Sequence, residues 1–202
     1  MTVTSADSSA DLPADASASA AAAAGSSGAS GARPVAVLVG PPGAGKSTVG
    51  ARLAARLGVG FRDTDADIEA AVGMTISDIF IEHGEEFFRE KERAAVAAAL
   101  AEHSGVLALG GGAVLDPGTR AALAGHNVVY LEISAAEAAK RVGLARDRPL
   151  LVEAPRARLA ALLRERRPLY TEVAVLTVDA AAQDVDGVVD TIIQSLPDRA
   201  QG

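Results

Sequence analysis

The chain has 202 residues, 49% of them hydrophobic and 22% charged, and a net charge of −7. This predicts one globular domain with a core of its own. The acidic balance argues against a broad phosphate-backbone footprint, so nucleic acid is not the expected partner, although a small anion needs only local arginines. Cysteine is absent, which excludes disulfides, thiol catalysis and zinc–thiolate sites and suits a reducing cytoplasm.

Residues 1–32 are Ala, Ser, Gly and Asp with almost no large apolar side chain. Such a segment cannot bury enough surface to offset its ordering entropy, so a disordered tail is expected. The alanine run at 20–24 follows Asp7, Asp11 and Asp15 and no basic residue, unlike a secretion signal. No stretch has the length and apolarity of a membrane span. The expectation is a soluble, cytoplasmic protein without membrane contact.

From Arg33 onward strands and helices alternate. An apolar strand at 35–39 runs into Gly40-Pro41-Pro42-Gly43-Ala44-Gly45-Lys46-Ser47, and a helical pattern follows over 46–57 with Gly58 suited to its stop. Gly, four residues, then Gly-Lys-Ser between strand and helix is the phosphate-binding P-loop spacing. Glycines let successive backbone N–H groups point into one concavity, to which the helix adds its free N–H groups and the positive end of its dipole. Lys46 reaches the outer phosphates and the Ser47 hydroxyl ligates Mg²⁺. The plainer reading is a glycine-rich turn.

A second strand at 59–63 ends in Asp63-Thr64-Asp65. Helical segments follow at 67–72 and 76–83, with Thr75 and Asp78 as a capping pair, and then a long helix at 85–102. The third strand, 106–109, runs into Gly110-Gly111-Gly112. A helix at 117–124, a strand at 128–133, and a helix capped by Ser134 and ending at Gly143 come next. Residues 144–155 read as a loop, 156–167 as a helix stopped by Pro168, 173–178 as the fifth strand and 185–196 as a closing helix. Short apolar strands between helices predict an α/β fold, a five-stranded parallel sheet covered on both faces, with ligands beyond the strand carboxyl ends.

Several groups gather at those ends. Asp63 and Asp65, alternating in an extended segment, would point the same way. One suits a metal-bound water, the other a substrate hydroxyl, and capping of the next helix by Asp65 or Asp67 is the alternative use. On the helix at 85–102, Glu85 and Glu92 share a face with Arg89 and could hold its guanidinium for a carboxylate. The other charges there read as a solvated face. The triple glycine marks either a flexible loop or close backbone approach to a ligand. Arg146 and Arg148 lie in the long loop, which is either solvated or a lid supplying an arginine to the transferring group. Arg164, Arg166 and Arg167 suggest an anion site or an exposed helix end. His83, His103 and His126 form no ligand spacing. The residues alone thus describe a phosphotransferase acting on a small hydroxylated carboxylate.

Taken together, residues 40–48, Asp63-Thr64-Asp65, Phe88-Arg89, 109–113, Arg148-Pro149-Leu150-Leu151 and Arg166-Arg167-Pro168-Leu169-Tyr170 resemble the shikimate kinase family over about residues 34–196. The resemblance implies a P-loop fold like that of the nucleoside monophosphate kinases. It also implies transfer of the ATP γ-phosphoryl group to the 3-hydroxyl of shikimate, a step towards chorismate and the aromatic amino acids. By motif, ATP is bound by Gly43, Ala44, Gly45, Lys46, Ser47 and Thr48, with Arg141 packed on adenine and Arg148 from the lid. Mg²⁺ is held by Ser47 and, through water, by Asp63. Shikimate meets Asp65, Arg89, Arg166 and the Gly111 backbone, and Lys46, Asp65 and Arg148 take part in the transfer. Residues 64–92 would form the substrate-binding insert, 143–155 the lid, 33–197 the domain and 198–202 a short C-terminal tail, in a monomer. The segment between Arg148 and Pro168 is one residue shorter than the family pattern, and the loop 180–183 lacks its basic or proline character. A gluconate-type kinase is the rival within the class, and a nucleotide-binding regulator without acceptor chemistry the rival outside it.

Overall fold

In the computed structural model, residues 33–143 and 155–196 are described; the 1–32 tail, the body of the expected lid with Arg148, and the tail at 198–202 lie outside them. The apolar run at the start of the domain forms β1 (Ala36–Val39), every residue of which is buried. Ala36 and Leu38 join one hydrophobic cluster while Val37 and Val39 join another on the opposite face, as the two-residue period of a strand requires. The other strands are β2 (Phe61–Asp63), β3 (Val106–Ala108), β4 (Val128–Glu132) and β5 (Leu176–Asp179). All pairings are parallel and the order is β2-β3-β1-β4-β5. This central position of β1 places its following loop in the middle of the carboxyl edge.

The first helix, α1 (Lys46–Leu57), starts at Gly45 in the left-handed region (φ 88°) and ends on Gly58, whose N–H returns to the Ala54 and Ala55 carbonyls. Between β2 and β3 lie α2 (Thr64–Val72), α3 (Ile76–Glu82) and α4 (Gly84–Glu102). Ile68, Ile79 and Phe88 are the buried centre of this insert, which has a hydrophobic cluster separate from the two beside the sheet. The Thr75 hydroxyl accepts from the Asp78 N–H and caps α3 as expected. Next come a 3-10 turn (Ala113–Leu115), α5 (Pro117–Ala122) and α6 (Ala135–Gly143), where Ser134 Oγ accepts from the Glu137 N–H. The chain closes with α7 (Pro155–Val173) and α8 (Val185–Ser195). Among the described residues no helix is long and apolar enough to cross a membrane.

Three local expectations are corrected. Pro168 does not stop the helix: α7 continues through it to Val173, and β5 begins only at Leu176. Pro168 lies on the exposed side of α7, where water can satisfy the backbone group that proline leaves without a partner. Beyond it the fully buried Tyr170 and the packed Leu169 and Val173 anchor the last turns in the core. Here tertiary burial outweighs the local break. Arg167 therefore lies inside the helix, not at its end. The third correction is at β2, where the strand ends at Asp63 and α2 starts at Thr64. Asp63 and Asp65 do not alternate along one extended segment. Asp63 caps the helix and Asp65 sits in its first turn.

Candidate active site

At the phosphate end the backbone makes the site. Gly40, Gly43 and Gly45 all have positive φ (149°, 83° and 88°), a region that disfavours a side chain. No side chain caps the N-terminus of α1, so its first N–H groups remain available to an anion. Lys46 folds back over the loop, and its Nζ donates to the Gly40 and Pro41 carbonyls at 2.8 and 3.2 Å. Arg141, near the end of α6, donates to the Ala180 carbonyl after β5 at 2.9 Å and lies at 3.5 Å from the Gly43 carbonyl. It thus bridges the loop after β5 and the P-loop.

One step away, Ser47 Oγ donates to Asp63 Oδ2 at 2.6 Å while the other Asp63 oxygen accepts from the Asp65 N–H at 3.0 Å. A hydroxyl and a carboxylate, both hard oxygen donors, meet beside the phosphate cradle. This donor set fits Mg²⁺, which keeps several waters and takes few protein ligands.

The acceptor end is built from four separate segments that meet at the triple glycine. A Cβ on Gly110 would lie 2.6 Å from both Asp65 Oδ1 and Glu92 Oε1. One on Gly112 would run into the Arg89 guanidinium, and one on Gly111 would come within 3.0 Å of Pro42 in the P-loop. The Gly110 N–H donates to Thr64 Oγ1 at 3.1 Å, tying the start of α2 to this loop. Arg89 is held as its neighbours suggested, Nη1 donating to Glu92 at 2.6 Å and Nη2 to Glu85 at 3.0 Å. Glu92 is only 3% exposed. Burial pushes its carboxyl above the ordinary carboxylate value, against the pull of Arg89, and the charge of Asp65 adds to the push. From α7, Arg166 Nη1 and Tyr170 Oη both donate to the Gly111 carbonyl, at 3.1 and 2.6 Å. Arg167 points elsewhere, to Glu132 at 2.8 Å.

The arrangement is a P-loop touching, through Pro42 and Gly111, a polar cluster of two carboxylates and two guanidinium groups. The family model described as shikimate kinase matches residues 42–197. The chain belongs to the shikimate kinase family. A shikimate kinase from Frankia casuarinae is 68% identical over 160 residues, covering 79% of this chain and 71% of that one. One from Thermobifida fusca is 60% identical over 165 residues, covering 82% and 96%. The solved shikimate kinase from Acinetobacter baumannii in complex with shikimate is 39% identical and superposes with a TM-score of 0.76 over 80% of this chain and 91% of that one. The fold is accordingly that of the P-loop kinases, of the nucleoside-monophosphate-kinase type.

Of the residues expected from sequence, Asp65, Arg89, Gly111 and Arg166 converge on one recess, and Lys46, Ser47, Asp63 and Arg141 gather at the other end. Thr64, Glu92 and Tyr170 also contribute, and the sequence does not announce it. Thr64 is 0% exposed, and its place between two aspartates does not reveal that. Helical spacing marks Glu92 only as a holder of Arg89, and its contact with the glycine loop needs the fold. Tyr170 is buried, and a buried tyrosine needs a partner for its hydroxyl, here the Gly111 carbonyl.

Proposed function

We propose that the chain transfers the ATP γ-phosphoryl group to the 3-hydroxyl of shikimate. The observation that carries this reading is the convergence of Asp65, Arg89 and Arg166 on the glycine loop that abuts Pro42 of the P-loop. The substrate carboxylate lies between Arg89 and Arg166, whose planar guanidinium groups match it. Asp65 orients the acceptor hydroxyl and takes its proton as the oxygen attacks phosphorus. Lys46 leaves the Gly40 and Pro41 carbonyls for the phosphates and offsets charge in the transition state. Ser47 would hold Mg²⁺ directly and Asp63 through water, with Gly43, Ala44, Gly45 and Thr48 supplying backbone around the phosphates. The ion neutralises phosphate charge when bound. Arg141 flanks the nucleotide base, a role its bridge to the Ala180 carbonyl supports.

The sequence carries four further parts of the proposal: Arg148 acts from a lid at 143–155, the 64–92 insert holds the acid, the 1–32 tail is catalytically idle, and the enzyme works as a cytoplasmic monomer. A coupled ADP-release assay with shikimate, gluconate or no acceptor tests the reading. Turnover with shikimate alone is expected. Equal turnover with gluconate would move the chain to the rival kinase class, and turnover independent of any acceptor would leave only nucleotide hydrolysis.

A further inference from the structure

One carbonyl in the acceptor recess has two donors. Tyr170 Oη and Arg166 Nη1 lie 2.6 and 3.1 Å from the Gly111 oxygen. The two donors differ in freedom. Tyr170 is 0% exposed, and its ring stacks on Tyr130 of β4 at 5.0 Å between centroids and 19° between planes. Its hydroxyl is therefore placed by the core. Burial also pushes its phenol well above the ordinary value, against the pull of the neighbouring Arg166 guanidinium, so it stays a donor. Arg166 is a long side chain, half-buried, that reaches the same oxygen from one turn earlier on α7.

We propose that Tyr170 is a positioning residue for the acceptor, keeping the Gly111 carbonyl satisfied so that Arg166 can leave it for the substrate carboxylate. This rests on the reading of Arg166 as a carboxylate ligand. Without Tyr170 the carbonyl would depend on Arg166, and drawing the guanidinium to the substrate would strip a partly buried acceptor of its partner. The same bond fixes the peptide plane. With the carbonyl pinned towards α7, a planar trans peptide turns the Gly112 N–H the opposite way. The loop then keeps one orientation whether or not Arg166 has moved.

The experiment is a double-mutant cycle of Tyr170→Phe and Arg166→Lys, read as the KM for shikimate and for ATP, with kcat. Phenylalanine keeps the ring and its stack on Tyr130, and kinetics run well below each variant's Tm remove any effect of weaker folding. Tyr170→Phe alone should raise the shikimate KM about fivefold, the equivalent of one net hydrogen bond. It should leave kcat and the ATP KM within about twofold. In the Arg166→Lys background the same change should raise the shikimate KM by less than about twofold, because the competition for Arg166 that Tyr170 relieves is already gone. Equal effects in both backgrounds, or an equal rise in the ATP KM, would overturn the inference and leave Tyr170 a packing residue. No effect of Tyr170→Phe beside a clear effect of Arg166→Lys would overturn it while sparing the carboxylate reading. No effect of Arg166→Lys alone would overturn both.

Discussion

Two sets of glycines line the two ends of this site, and they are glycines for different reasons. In the P-loop, Gly40, Gly43 and Gly45 hold backbone angles that side chains disfavour (φ 149°, 83° and 88°). In the second loop, none of Gly110, Gly111 and Gly112 is among the positive-φ glycines. There the missing Cβ matters, because Asp65, Glu92 and Arg89 press against the backbone. One end needs glycine for its shape, the other for the room it leaves. Hence the P-loop itself is built by one contiguous segment, whereas the other end exists only when α2, α4, α7 and the loop after β3 come together.

The largest effect expected of a single change is at the phosphate end. Lys46→Met should lower kcat by about 10²–10³, the usual cost of losing one preorganised charge-stabilising group. The shikimate KM should move little, since Lys46 Nζ lies over the P-loop, bonded to the Gly40 and Pro41 carbonyls. Near-normal turnover would remove Lys46 from the transfer step.

Gly112→Ala sharpens the contrast between the loops. Gly112 has ordinary right-handed angles (φ −101°, ψ −9°), so alanine suits the backbone, and the obstacle is the Arg89 guanidinium. The side chain can yield, so the Tm should fall only slightly. Arg89 would then leave the pose set by Glu85 and Glu92, and a displacement near 1 Å costs about 10² in a positioned site. The loss should appear in kcat/KM for shikimate with the ATP KM unchanged. Gly40→Ala is the matched control: it strains the backbone and meets the Leu131 carbonyl oxygen at 2.6 Å, so it should destabilise the fold. Equal loss of Tm in the two variants would erase the distinction.

The same contrast accounts for what the sequence made legible. The P-loop was readable with its flanks because backbone curvature leaves a local signature, glycine at fixed offsets before a lysine. Alternating short apolar strands announced the parallel sheet for the same reason. The acceptor recess was legible in its residues but not its assembly. Nothing local says that Thr64 accepts from the Gly110 N–H, or that Glu92 is buried against the same glycine. Local rules failed at Pro168, where burial of Tyr170 carries α7 onward, and misplaced the helix cap, which is Asp63 at the end of the strand itself.

A smaller effect separates two adjacent arginines. Both are helical, and successive helix residues point about 100° apart. Arg166 turns to Gly111 and Arg167 to Glu132, the latter with its side chain 67% exposed. Arg166→Lys should raise the shikimate KM about tenfold, because an ammonium does not reproduce a planar two-point contact. Arg167→Lys should change it by less than about twofold, as for an exposed pair. A larger effect at Arg167 would shift the carboxylate contact by one residue.

The smallest effect is one of pH, and its sign follows from Glu92. In the unfolded chain this carboxyl titrates near its ordinary value of 4.5, and in the fold burial holds it higher despite Arg89. Between those two values the folded state binds more protons than the unfolded one, so stability falls as pH rises. Glu92 therefore contributes stability below 4.5 that is lost as pH climbs through the raised folded value. Glu92→Gln deletes this titration and leaves a neutral side chain of similar shape. With Tm measured for both proteins from about pH 4 to about pH 8, wild type should lose ground against the variant as pH rises. Titrations common to both cancel in the difference. A difference that grew in favour of wild type with rising pH would mean that the pull of Arg89 outweighs burial, and that the acceptor end is held by a net-favourable buried ion pair.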